Sequence, residues 1–209
     1  MYVKRRATIL VMARRTQEDS SRTRESLISV ARTLFAERGF DEVSLEEVAS
    51  AAHVTRGALY HHFGGKHGLF HAVCTRLLKE TGENILRRAN RESEPLQSLL
   101  EGSREFLRLS QNTEYRRIVL IDAPAVLGID EWQKLDNEYT TATLREALND
   151  LVRSRELTIP DPEAMAQALS GAMNQLALWP SSTSTGTSAA IRRGYAVIEH
   201  IVTALQKNE

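Results

Sequence analysis

Cysteine is almost missing from this sequence: Cys74 is the one thiol in 209 residues. A disulfide framework within one chain is excluded, and a reducing cytoplasm is the expected compartment. No apolar run reaches the ~18 residues that a membrane span needs, so no membrane partner is expected. The opening MYVKRRATILVMARR holds an apolar stretch of only minimal length before Arg14 and Arg15, which argues against a signal peptide. A second reading makes residues 1–11 an upstream-start extension, with Met12 as the native start. Also missing are a GxSxG elbow, a Walker loop and a Cys/His nucleophile arrangement. No catalytic residue and no cofactor is assigned, and an enzyme is the weakest reading.

What is present is charge of both signs, unevenly placed. The formal net charge is zero, which alone argues against a nucleic-acid partner. Residues 1–80, however, hold 13 Lys/Arg and 9 Asp/Glu, about +4, while the remainder hold 14 and 18, about −4. Such asymmetry between halves is the better clue to a nucleic-acid partner. With 42% apolar, 26% charged and 6% aromatic residues, the composition is that of a soluble helical protein.

Helical periodicity runs through the whole chain. Leu27, Val30, Ala31, Leu34 and Phe35 recur at helical spacing and Gly39 stops the run. Ser44-Leu-Glu-Glu47 is a capping box opening a short helix that buries Leu45, Val48, Ala49 and Ala52. A third helix begins near Thr55, buries Val54, Ala58, Leu59 and Phe63, and stops at Gly64-Gly65; a fourth starts near Lys66. Later segments open at Pro95, break near Pro124 and Gly128, and resume with Asp130 as a cap. Asp161-Pro162 pairs an N-cap with an N1 proline. Pro180 and SSTSTGTS form a polar linker before the last helix. The expected fold is all-α with about nine helices. The expected parts are a basic arm over 1–20, a first helical domain over 21–81 and a C-terminal domain over 82–209.

The densest chemistry lies in VTRGALYHHFGGKHGLF, residues 54–70. Two short helices around a tight turn at Ala52-His53 form a helix-turn-helix, whose second helix enters the major groove. The exposed positions of that helix are Thr55, Arg56, Gly57, Tyr60, His61 and His62. Arg56 can make two bonds to guanine, and Gly57 lets the backbone approach bases closely. Thr55, Tyr60 and His62 can donate to phosphate, and Lys66 adds a positive charge near the next helix start. Ser44 joins the expected DNA-contacting set. Each residue also has an ordinary reading: Arg56 and Lys66 as solvated charges, Tyr60 as half-buried packing.

Residues 21 to about 81 resemble the DNA-binding domain of the TetR family, close to its AcrR-like subgroup. The likeness is carried by SLEEVASAAHVTRGALYHHFGGKHGLF and by the spacing of Tyr60, Phe63 and Lys66 behind a capped short helix. It implies that Thr55, Tyr60, His62 and Lys66 contact phosphate while Arg56, Gly57 and His61 face bases. It also implies a regulator, most often a repressor, that binds a palindromic DNA operator as a homodimer. One departure stands out: His53 occupies the turn position usually held by Gly. Histidine tolerates positive φ better than most residues, so the turn is expected to survive with strain.

His67 and His71 share a helical face, the spacing of two-His metal sites. No further ligand stands at the right spacing, so no metal is assigned. In the second half, the resemblance implies that helices 161–179 and 188–206 pair with their copies as a four-helix bundle. The stripes Met165, Leu169, Met173, Leu176 and Ile191, Tyr195, Ile198, Val202 are the expected dimer interface, and intramolecular core is the alternative. The resemblance further implies a pocket for a small apolar or amphipathic ligand. Its expected lining is Phe106, Leu109, Ile118 and Ile121, with Trp132, Tyr139, Met173, Asn174 and Trp179. Asp122, in an otherwise apolar run, is either a pocket group or a cap for the Ala-Pro turn. A DNA-binding architectural protein with no effector is the rival reading.

Overall fold

The computed structural model describes residues 2–179 and 186–206, with side chains from 17 to 179 and from 189 to 206. Among these residues it has nine helices. They are α1 (Tyr2–Arg38), α2 (Leu45–Ala51), α3 (Arg56–Phe63), α4 (Lys66–Ala89), α5 (Pro95–Leu109), α6 (113–127), α7 (129–153), α8 (Pro162–Leu178) and α9 (Gly186–Thr203). The fold is all-α, as expected. No helix among the described residues is long and apolar enough to cross a membrane. The residues assigned to a basic arm fall within α1, and the side chains of Lys4, Arg5, Arg6, Arg14 and Arg15 lie outside the described set. So does the linker over 180–185.

The chain divides into two compact units, 1–73 and 74–209. This boundary and the expected one at 81/82 both fall inside α4, so they differ only in where one continuous helix is cut.

The first unit is built from local signals. Leu27, Ile28, Ala31 and Phe35 form the buried face of α1. Gly39, at φ 82, stops the helix, its N–H donating to Phe35 O at 2.8 Å. The capping box forms: Ser44 Oγ accepts from Glu47 N–H at 3.2 Å, and Glu47 Oε2 accepts from Ser44 N–H at 2.8 Å. Arg38 also pairs with Glu47 at 2.9 Å. That guanidinium, then the Ser44 bonds, hold the Glu47 carboxyl down at about 2.

A Schellman turn closes α2. Val54 N–H donates to Ala49 O at 2.9 Å and His53 N–H to Ser50 O at 3.1 Å. His53 adopts φ 55, so a non-glycine residue does occupy the left-handed turn. Phe70 packs edge-on against Phe35 at 5.2 Å and Phe40 at 5.1 Å. Phe63 is not the core residue its period suggested. It is half-buried, with the Arg24 guanidinium 5.3 Å from its ring centre.

In the second unit, α6 and α7 each contain a π-helical segment, Arg116–Asp122 and Asn137–Thr141. The first explains why the expected break at Pro124 does not occur. Pro124 has no N–H to donate. The preceding turn is already wide, with Ala123 N–H bonded to Ile118 O, and the helix runs on to Leu127. Gly128, at φ 84, makes the break instead. Helix α7 therefore starts at Ile129, and Asp130 sits in its first turn rather than capping it. Asp161 does cap α8, accepting from Ala164 N–H at 3.0 Å. Cys74 is fully buried, and burial first, then the Asp122 charge, pushes its thiol up.

Candidate nucleic-acid interface and interior cavity

Helix α3 presents one solvent-facing edge. Thr55, Arg56, Gly57, Tyr60 and His61 are exposed and His62 is half-buried, while Leu59 faces the core. Thr55 is the N-cap, its Oγ1 accepting from Ala58 N–H at 3.2 Å. Its hydroxyl hydrogen remains available to an external acceptor. Gly57 meets nothing closer than Thr55 Oγ1, at 3.9 Å from an added Cβ, so the helix start is open to close approach. Tyr60, 43% exposed, lies beside Arg56, whose guanidinium is 5.3 Å from its ring centre.

Three of the expected DNA-contacting residues are held by the protein itself. Arg56 pairs with Glu46 of α2 and donates to Tyr60 Oη at 3.4 Å. Glu46 and then Tyr60 therefore aim the guanidinium. Lys66 Nζ donates to Asp41 O at 3.1 Å and stands 4.3 Å from the Phe40 ring centre. It still has two N–H donors to offer. Ser44 spends its hydroxyl on the capping box, donating to Glu47 Oε2 at 3.0 Å.

A residue absent from the sequence reading positions this helix. A Cβ on Gly68, in the first turns of α4, would overlap the Phe63 carbonyl oxygen at the end of α3. The two helices meet backbone to backbone there, which only glycine allows. Three glycines in GGKHG gave the signal, but two of them looked sufficient to explain the turn.

The second unit holds a half-open cavity with about 450 Å³ of empty space in and in front of it, open solvent included. Ile85, Leu99, Phe106, Leu144, Ala147 and Met173 supply its apolar wall. Gly102, Ser103, Thr140, Thr141, Thr143 and Ser170 supply the rest. Beneath the hydroxyls lies Asp136, 6% exposed. It accepts from Thr140 Oγ1 at 2.5 Å, Thr141 Oγ1 at 2.9 Å and Ser170 Oγ at 3.1 Å.

Of the expected pocket residues, Phe106 and Met173 line this cavity. Ile121 and Trp179 instead face solvent, at 51% and 56% exposure. Ile118 is core, Leu109 and Tyr139 are half-buried, and Asp122 pairs with Arg117 at 3.2 Å without capping. Trp132 Nε1 and Asn174 Oδ1 are buried without partners, yet neither residue lines the cavity. A search for large apolar groups overlooked small residues that a π turn brings to one wall.

The expected dimer stripes divide by burial. Leu169, Met173, Tyr195, Ile198 and Val202 are buried within their own chain, and Met165, Leu176 and Ile191 are half-buried. Periodicity marked the inward face of each helix. The outward face carries Ala164, Ala168, Gly171 and Trp179 on and after α8, and Val197 and Ile201 on α9. Among the described residues no cluster of three or more His, Cys, Asp or Glu could hold a metal ion. His67 packs edge-on to Phe40 at 5.1 Å.

Residues 27–73 match the family model "Bacterial regulatory proteins, tetR family". Residues 96–205 match "Tetracyclin repressor-like, C-terminal domain". The chain is 27% identical over 186 residues to the Transposon Tn10 TetC protein of Escherichia coli, covering 86% of this chain and 93% of that one. It is 36% identical over 110 residues to the transcriptional regulator AcrR of Shigella flexneri, spanning 52% of this chain and 51% of AcrR. The crystal structure of a TetR-family transcriptional regulator from Pectobacterium atrosepticum superposes with a TM-score of 0.75 at 29% identity, over 91% of this chain and 97% of that one. With both units matched, the chain belongs to the TetR family of DNA-binding transcriptional regulators.

Proposed function

We propose that this protein is a homodimeric, cytoplasmic repressor that reads a palindromic operator and leaves it when a small molecule fills the cavity of the second unit. The observation that carries the DNA half is the outward edge of α3. It combines an oriented guanidinium, a glycine-open helix start and phenol, imidazole and hydroxyl donors on one surface. Arg56 reads a guanine edge, with Gly57 and His61 beside it on the bases. Thr55, Tyr60, His62 and Lys66 hold phosphates and so fix register.

The dimer forms through the outward face of α8 and α9. Ala164, Ala168 and Gly171 let helices approach closely, while Val197 and Ile201 supply apolar area at 50% and 36% exposure. A two-fold pair places two recognition helices about 34–36 Å apart, one turn of DNA.

The effector acts through α7. Thr140 and Thr141 line the cavity and belong to the π segment Asn137–Thr141. The Tyr139 carbonyl of that segment abuts Gly82 of α4, whose helix begins at Lys66. A ligand that favours one arrangement of this segment biases α4, and through it the spacing of the recognition helices.

The test is selection of bound duplexes from a random pool at ~150 mM salt, a concentration at which charge-driven binding is already weakened. A palindrome with two half-sites is the expected result. Enrichment of nothing beyond charge-driven binding would favour an architectural protein and overturn the operator reading. Arg56→Ala should relax selectivity at one base pair per half-site and cost about 1–3 kcal/mol.

A further inference from the structure

The wall of the cavity is chemically one-sided. Among the described residues, the side-chain partners of the buried Asp136 carboxylate are three hydroxyls and no cation. The other deeply placed carboxylates of this unit are treated differently. Glu101, 7% exposed, takes both Arg88 and Arg104, the latter at 3.0 Å. Asp122 takes Arg117 at 3.2 Å and Glu105 takes Arg108. A buried carboxylate is costly unless it is paired. Three hydroxyl bonds hold Asp136, and among the described residues no Lys, Arg or His pairs with it.

The hydroxyls carry the field of Asp136 to the cavity surface. Each has one hydrogen and two lone pairs. Thr140 and Ser170 donate to Asp136, and Thr141 donates to Asp136 or to Ser170 at 3.0 Å. Ser103 donates to Leu99 O at 2.9 Å. Four of the five hydroxyls on the wall thus have their hydrogen committed within the protein, which leaves them only acceptor capacity toward a ligand. A ligand carboxylate would meet acceptors and a negative charge behind them. A ligand ammonium would meet acceptors already polarised toward it, with the Phe106 ring as a further face for a cation.

We infer that the cavity selects a small lipophilic monocation, an apolar body carrying a protonated amine, with its N–H donors on Thr140, Thr141 and Ser170 in front of Asp136. The apolar body lies against Leu99, Leu144 and Met173. This rests on the proposal that the cavity is the effector site, and it names the charge and donor character of the effector.

The test uses the full-length protein and three probes of one shape: phenylbutylamine, phenylbutanol and phenylbutyrate, titrated at neutral pH by calorimetry. The amine should bind at least about tenfold tighter than the alcohol, because its hydrogen bonds are charge-assisted. The acid should bind more weakly than the alcohol. Asp136→Asn keeps the shape and one acceptor oxygen, and should bring the amine to within about threefold of the alcohol, whose own affinity stays put. Equal binding of amine and alcohol, preference for the acid, or no binding of any probe would overturn the inference. So would an equal loss of all three in D136N, which would leave Asp136 a structural group only. Should D136N not fold, the order among the probes on the unaltered protein decides alone. Operator binding is followed in the same samples by fluorescence anisotropy. Release by the alcohol or acid but not the amine keeps the effector-site reading and sinks the monocation. Tight amine binding without release keeps the monocation and sinks the effector-site reading.

Discussion

Gly82 and Tyr139 meet without a side chain between them: a Cβ on Gly82 would overlap the Tyr139 carbonyl oxygen. The contact joins α4 to the π segment of α7, next to two residues of the cavity wall. Gly82→Ala must push the two helices apart. Overpacking of this kind costs about 1–3 kcal/mol, so the melting temperature should fall. Operator affinity should also change with no ligand present. A variant that melts and binds DNA like the parent would remove this contact from the coupling route.

His53 stands at φ 55 in the turn between α2 and α3. A left-handed residue with a side chain is strained, and glycine is not. His53→Gly should stabilise the first unit by up to about 1 kcal/mol, while His53→Val should destabilise it. Thermal melts of the two variants in opposite directions are expected. If both fell together, the imidazole would be making a contact that outweighs the strain.

Lys66 divides its ammonium between the protein and whatever lies outside. Lys66→Ala should lower the salt slope of operator binding by about one unit and weaken all sequences alike. It should also cost about 1 kcal/mol of stability through the lost Asp41 carbonyl bond and Phe40 contact. Loss of stability with an unchanged slope would make Lys66 a structural pin alone.

Glu47 gives the first unit an acid-sensitive hinge. Its folded carboxyl is depressed from 4.5 to about 2, chiefly by Arg38 and then by Ser44. A depressed carboxyl contributes stability that is full above the unfolded value and disappears as pH falls through the folded one. The contribution should fade between about pH 4.5 and pH 2. Glu47→Gln should be less stable at neutral pH and should show a flatter decline across that window. Parallel pH curves would place the acid sensitivity elsewhere.

Much of the first unit is legible in the sequence because its signals are local. Gly39, the Ser44 box, the His53 turn and Gly64 each act within a few residues, and each terminates or starts a helix where expected. The cavity is not local. Its wall draws on α4, α5, α7 and α8, and Thr140, Thr141 and Thr143 reach it through a π turn that shifts the helical period partway along α7. A 3.6-residue pattern read through that point assigns the wrong faces. The dimer stripes are ambiguous for another reason. A period identifies a face that is buried, and Leu169 or Ile198 is buried equally well by its own chain as by a copy.

Glu46 holds Arg56 before any DNA arrives. On the proposed reading of Arg56, each contact it makes with DNA competes with that carboxylate. A single phosphate oxygen is a like-for-like exchange for Glu46 and gains little. A guanine edge offers two acceptors in the geometry of the fork and gains more. On that reading, the ion pair sets the level that a DNA contact must exceed, which favours a two-acceptor guanine edge over one phosphate oxygen.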